Sequence, residues 1–249
     1  MSEKEKDEAL EEIALEYQDI ITTSYDKLAT DCFNVPNHRL EMKTEAVIRA
    51  AYFRATRRYA QWITKQEGVV REVIDIKGLE FKKANFPPLL GKFFKEILID
   101  ILKGASQEGI SERVNAIRKQ ILNSEISFMD LGNPTAVKTL AKYSGRKAMP
   151  GEIFSEVLKG APAPVKAAIT YNDLIKFWGL HEKHSYISQG EKIKWVYLKQ
   201  NPLRIESVAF LEHNIPDKVR AFIEENIDRE KIFNSILFNK LKGFFDDLL

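Results

Sequence analysis

Apolar residues recur at spacings of three and four near the start of the chain, where Leu10, Ile13, Ala14, Tyr17, Ile20 and Ile21 predict one amphipathic helix over residues 7–32. Val35-Pro36-Asn37-His38 ends it, because proline holds the residue before it out of helical geometry. The pattern then changes. Arg39–Ile48 reads as extended, and Tyr59–Thr64 and Val69–Ile76 flank Gln66-Glu67-Gly68 as the arms of a β-hairpin. Beyond Lys77 a period of 3.6 returns, with Leu90, Phe94, Ile97, Leu98, Ile101 and Leu102 forming one stripe. That helix starts at Asn85-Phe86-Pro87-Pro88, where a missing N–H costs nothing, and Gly104 caps its end. Further helices are predicted over about 111–122, about 134–143 (entered through Asn133-Pro134), 164–178, 217–225 and 228–241. Lys192–Lys199 and Arg204–Phe210 read as short strands separated by Asn201-Pro202. The fold class expected is α+β: a small piece with a β-hairpin, then a mostly helical piece with a few short strands. The boundary falls near residue 80.

Composition narrows the function classes. With 44% apolar and 30% charged residues the chain reads as soluble and globular, and no apolar run of about 20 residues offers a membrane span. Met1-Ser2-Glu3-Lys4-Glu5-Lys6-Asp7-Glu8 lacks the apolar segment of a secretory signal, so a cytoplasmic location is expected. The single cysteine, Cys32, permits no internal disulfide and reads as a core or boundary residue. His181 and His184 have no neighbouring Cys to complete a metal set, and Gly104, Gly109, Gly132 and Gly145 form no phosphate-cradling cluster.

The net charge of +2 hides a polarity along the chain. Residues 1–45 hold twelve Asp and Glu against five Lys and Arg, a balance of −7. Residues 46–104 hold twelve Lys and Arg against six Asp and Glu, a balance of +6. A polyanion is a sensible partner for the second stretch, since neutralising phosphates dominates nucleic-acid affinity.

Within that basic stretch lie Arg57-Arg58-Tyr59-Ala60-Gln61-Trp62-Ile63 and, after the hairpin, Lys77-Gly78-Leu79-Glu80-Phe81-Lys82-Lys83. In order and spacing the two segments resemble the seam between palm and thumb of family B DNA polymerases of the phage (T4-like) type. In that family a basic-basic-Arg-Tyr strand holds the primer end, and a Gly-Leu-Glu-x-basic-basic segment leads into the thumb. The chain has no Asp-Thr-Asp, Ser-Leu-Tyr-Pro or Asn-Ser-x-Tyr-Gly, so the resemblance covers the carboxyl-terminal part of such an enzyme. Ala141-Lys142-Tyr143, Ile169-Thr170-Tyr171-Asn172 and Gly190-Glu191-Lys192-Ile193 resemble thumb segments in the same order.

The resemblance implies residues 1–80 as the end of the palm, 81–242 as the thumb and 243–249 as a clamp-binding tail. It implies DNA contacts from Arg57, Arg58, Tyr59, Lys77, Lys82, Lys83, Lys142 and Tyr143. Thr56 stands where phage relatives tend to carry a further Lys, which leaves Arg57 and Tyr59 as the best matches. Met42-Lys43-Thr44-Glu45-Ala46 is similar to a palm strand that carries an auxiliary catalytic carboxylate, implied here as Glu45; the alternative is a solvent-exposed strand Glu. A two-metal site needs several carboxylates, so no metal site is expected within this chain alone, and Mg2+ belongs to an assembled polymerase. In Lys242-Gly243-Phe244-Phe245-Asp246-Asp247-Leu248-Leu249 a helix is expected to stop at Gly243, leaving Phe244, Phe245, Leu248 and Leu249 on a tail similar to the clamp-binding peptide of phage enzymes.

The resulting expectation is a carboxyl-terminal subunit or fragment of a split DNA-directed DNA polymerase, a nucleotidyltransferase of DNA replication. It would be inactive without an amino-terminal chain supplying the catalytic Asp residues. Its partners would be primer-template DNA, that chain and a sliding clamp, with no membrane, in an infected bacterial cell. A non-catalytic DNA-binding or clamp-binding accessory protein derived from a polymerase, and a fragment without activity, stay open as alternatives.

Overall fold

The turn at Glu67-Gly68 has left-handed backbone at both positions (φ 49° and 79°), the geometry that matches a two-residue hairpin loop to strand twist. In the computed structural model, which describes residues 2–35 and 38–246, that turn joins β2 (Arg58–Gln66) to β3 (Val69–Lys77). A preceding strand, β1 (Ala46–Ala55), pairs with β2 through the turn at Thr56-Arg57, giving an antiparallel sheet in the order β1-β2-β3. The expected extended segment Arg39–Ile48 is thus strand only from Ala46, and the strand runs past Ile48 to Ala55. Its Ala and Arg residues carry little intrinsic strand signal. The pairs Ala50↔Trp62, Ala51↔Gln61 and Tyr52↔Ala60 hold it extended instead.

The first helix, α1 (Glu3–Lys27), opens on a capping box in which the Ser2 hydroxyl accepts the Glu5 N–H at 3.3 Å and Glu5 reaches back to the Ser2 N–H. It widens into a π-helical turn, Leu28–Cys32, where Cys32 is exposed rather than in the core. Polar side chains of α1 meet the sheet. Asp7 pairs with Arg49, Glu11 accepts from the Lys65 ammonium at 2.6 Å, and Gln18 accepts the Thr44 N–H at 2.8 Å. The core of this part is Val47, Tyr52, Ala60, Ile63, Ile76 and Leu79.

The chain divides into two units, Met1–Leu79 with Leu98–Ala105, and Glu80–Ile97 with Ser106–Leu249. Helix α2 (Pro88–Leu102) ends before Gly104, whose φ of 81° suits a C-terminal cap. The second unit continues with α3 (Gln107–Leu122), capped by the Ser106 hydroxyl, and the short α4 (Phe128–Leu131). The helix expected over 134–143 is instead an edge strand, β4 (Asn133–Ala136), followed by a one-turn helix, α5 (Leu140–Tyr143). Asn133–Ala136 pairs with β5 (Lys192–Tyr197), and an edge strand tolerates Pro134 where a central one would not. With β6 (Ser207–Phe210) these form a second antiparallel sheet, β4-β5-β6. Helix α6 (Ala163–Phe177) buries Val165, Ala168, Tyr171, Leu174 and Ile175, in a core that includes Val196, Val208 and Phe210.

After α7 (Asp217–Asn226) the expected helix 228–241 is interrupted: α8 (Arg229–Ile232) passes through a π-helical turn, Phe233–Phe238, into α9 (Asn239–Asp246). The helix does not stop at Gly243, since one interior glycine costs only about 1 kcal/mol relative to alanine. The clamp-binding residues expected at Phe244, Phe245, Leu248 and Leu249 lie outside the described residues, those at 244 and 245 as side chains. Arg229 is buried and donates to the carbonyls of Ile121 (3.1 Å) and Ile126 (2.8 Å), at and beyond the end of α3. Burial lowers its pKa from the ordinary guanidinium value.

Candidate nucleic-acid interface

Antiparallel register places Phe53, Tyr59 and Lys77 in one row across β1, β2 and β3, because Phe53 pairs with Tyr59 and Tyr59 with Lys77. Directly paired residues share a face of the sheet. The Phe53 and Tyr59 rings lie 5.8 Å apart, and the Lys77 ammonium stands 5.7 Å from the Tyr59 ring centre. Phe53 and Lys77 are exposed and Tyr59 is half-buried. The Tyr59 hydroxyl, and then the Asp75 carboxylate 3.3 Å away, raise the Lys77 pKa from its ordinary value. Lys77 therefore stays cationic throughout the neutral range. A row of two aromatic faces and a fixed cation suits a nucleic-acid backbone, with rings packing on sugar or base and the ammonium meeting phosphate.

Arg57 and Arg58 border this row, both exposed. Arg57 occupies the β1–β2 turn with φ 63°, a left-handed conformation uncommon for a side-chain-bearing residue. Gly78 explains how it is held. A Cβ at Gly78 would lie 2.1 Å from the Arg57 carbonyl oxygen, and Gly78 itself has φ 66°. Only glycine lets the backbone after β3 pass so close to the turn. The two sequence segments that flank the hairpin, Arg57-Arg58-Tyr59 and Lys77-Gly78, are thereby locked together at one end of the sheet.

Glu45 is elsewhere. It immediately precedes β1, its carbonyl accepts the Glu67 N–H at 2.8 Å, and its exposed side chain lines an open cavity of about 520 Å³ with Glu11, Glu41, Lys43 and Lys65. β2 spans from Arg58 to Gln66, so Glu45 and Arg57 stand at opposite ends of the β1–β2 hairpin, separated by about 25 Å at the usual rise of a strand. Among the described residues no group of three or more His, Cys, Asp or Glu could hold a metal ion.

In the second unit, Lys82 and Lys83 project from the turn that leads to α2 and are exposed. Phe81 anchors this turn: it is buried, 5.7 Å from the Phe94 ring, and its carbonyl oxygen would lie 2.9 Å from a Cβ on Gly91. Lys142 is exposed on α5 and lies 5.3 Å from the half-buried Tyr143 ring. Sequence reasoning missed a groove of about 610 Å³ that begins at Ala84 and Asn85 and runs along edge strand β4. Lys138, Lys192 and Lys194 line it. Lys194 is engaged, donating to the Met129 carbonyl at 3.0 Å and to Glu212 at 2.6 Å. Only the β4–β5 pairing brings these lysines together, so no local motif announces them.

The segment Ile169-Thr170-Tyr171-Asn172 serves packing instead. Asn172 clamps the backbone of Ile187, donating to its carbonyl at 2.9 Å and accepting its N–H at 2.7 Å. Tyr171 is fully buried, and its hydroxyl finds no hydrogen-bond partner among the described residues. Burial, with the charge of Glu191, pushes its pKa up to about 12.

No protein-family model matches the chain. It is similar to a DNA polymerase of Paramecium bursaria Chlorella virus NY2A, 24% identical over 227 residues that make up 88% of this chain and 23% of that polymerase. The chain thus spans under a quarter of the length of the relative it matches. The similarity is distant, and it supports a polymerase-related role. Among the described residues, no helix is long and apolar enough to cross a membrane.

Proposed function

We propose that this chain is the primer-gripping carboxyl-terminal part of a phage-type family B DNA polymerase. Residues 1–80 form the end of the palm and 81–242 the thumb, and a separate amino-terminal chain supplies the catalytic aspartates that hold Mg2+ during replication in the infected cell. The observation that carries this reading is the row Phe53–Tyr59–Lys77 beside Arg57, whose turn is fixed by Gly78. Similarity to a viral DNA polymerase over most of the chain supports the same reading. The exposed Lys82, Lys83 and Lys142, with Tyr143 and the β4 groove, add phosphate contacts in the thumb. Glu45, at the far end of the hairpin, stays outside the grip.

Replacing Arg57 or Tyr59 with Ala should weaken primer-template binding without unfolding the protein. The slope of log affinity against log salt should fall by about one phosphate's worth for Arg57→Ala, while sequence preference stays the same. Titration of fluorescent primer-template DNA over a salt series checks this. An unchanged affinity and slope for Arg57→Ala would remove Arg57 from the interface.

We further propose that the carboxyl-terminal residues 243–249 tether the enzyme to a sliding clamp with affinity near micromolar, because ordering the segment offsets much of its burial. Deleting Phe244–Leu249 should abolish clamp-stimulated processivity and leave clamp-free synthesis nearly unchanged. Equal loss of both activities, or a large drop in melting temperature, would place these residues in the fold instead.

A non-catalytic DNA-binding role is the second reading. Its supporting observation is that the exposed row of Phe53, Tyr59 and Lys77 can engage a polyanion without any catalytic carboxylate. It predicts the same salt dependence without any reconstituted synthesis.

A further inference from the structure

Helix α1 is turned opposite to the usual orientation of an amphipathic helix. Its polar row of Asp7, Glu11, Gln18 and Thr22 meets the first sheet and the segment before it. Its apolar row faces outward, with Leu10, Ile13, Tyr17 and Ile20 respectively 46, 50, 61 and 53% exposed. The spacing of three and four puts these side chains on one stripe. Contiguous apolar surface of this kind marks an interaction site on a soluble protein.

The charge beside the stripe narrows the occupant. Glu8, Glu12, Glu16 and Asp19, all exposed, follow one another at helical spacing as a second row. The helix Glu3–Lys27 carries nine acidic and three basic residues, a balance of −6. A second copy of this chain would bring another helix of −6, so like charge opposes self-association. A partner with an apolar row edged by Lys and Arg complements both features.

We infer that this stripe is the docking surface for the polypeptide carrying the polymerase's catalytic aspartates, reached through a segment with a basic-edged apolar row. The inference rests on the polymerase reading, and under that reading more than three quarters of the matched relative has no counterpart in this chain.

The test uses the full chain and the recombinant amino-terminal polymerase polypeptide encoded in the same genome. Calorimetry should show binding by the wild type and a loss of about 10–100-fold for Ile13→Asp with Ile20→Asp. Glu12→Lys with Glu16→Lys should weaken binding less and reduce its salt dependence. Equal binding by the Ile13→Asp, Ile20→Asp variant would overturn the docking surface while leaving the split-polymerase reading intact. Absence of binding by the wild type would overturn both. Light scattering on the chain alone should give a monomer; a dimer abolished by the same substitutions would assign the stripe to a second copy. A fall in the variant's melting temperature of more than about 5 °C would show that the stripe packs within this chain.

Discussion

Purified alone, the chain should incorporate no nucleotide on any primer-template. Mixed with the matching amino-terminal polymerase chain, it should support extension well above the level of either component. In-line phosphoryl transfer between two metals requires carboxylates that hold both ions and offset the charge of attacking and leaving oxygens. No single Glu provides this, and Glu45 stands at the end of the β1–β2 hairpin remote from Arg57. On the proposed reading, what this chain contributes is position. Holding the primer end in register converts a bimolecular encounter into an oriented one, an effect reaching about 7–11 kcal/mol in favourable cases. Steady-state primer extension with each chain separately and together is the measurement. Robust synthesis by this chain alone, or none by the mixture, would defeat the split-enzyme reading.

Gly78→Ala should be among the most damaging single methyl additions in the first unit. The added Cβ would lie 2.1 Å from the Arg57 carbonyl oxygen, where backbone rather than a flexible side chain must move. Left-handed backbone at φ 66° contributes further strain. Together these should cost about 3 kcal/mol or more, read as a lower denaturant midpoint at unchanged slope. Gly68→Ala separates the two causes. Gly68 is also left-handed, with φ 79°, but nothing lies within 4 Å of its added Cβ, so only the conformational cost of about 1–2 kcal/mol remains. Equal losses at the two positions would show that the approach to Arg57 is not what demands glycine. The surviving folded fraction of Gly78→Ala should also bind primer-template DNA more weakly, because the Arg57 turn loses its brace.

The hairpin around Glu67-Gly68 was readable because both arms alternate and the turn residues favour left-handed backbone. The helix at Pro88–Leu102 was readable from its apolar stripe and its terminal glycine. Strand β1 was legible only at its start: Ala50, Ala51 and Ala55 adopt whatever conformation their neighbours impose, and the neighbour is β2. Asn133-Pro134 signals a helix start locally, yet Lys192–Trp195 captures it as an edge strand from far along the chain. The candidate interface divides the same way. Arg57, Tyr59 and Lys77 stood out as sequence segments, but the membership of Phe53 follows from register, and the lysines along β4 meet only through long-range pairing. Periodicity identified the helix α1 but gave no hint that Leu10, Ile13, Tyr17 and Ile20 stay exposed while Ala14 and Ile21 are half-buried and Asp7 and Glu11 meet the sheet.

Arg229 sets an order of events during synthesis. Its guanidinium satisfies the carbonyls of Ile121 and Ile126, which are made more than a hundred residues earlier. Until α8 leaves the ribosome, the Ile126 carbonyl lacks this donor, and the end of α3 is closed only by local backbone bonds such as Ser124 N–H to Ile121 and Glu125 N–H to Gln120. The bond from Arg229 to Ile126 can therefore form only after more than a hundred further residues have been made, a long-range closure that is expected late in folding. Ribosome-stalled chains ending before Arg229 should reveal this as protease sensitivity near residues 121–126.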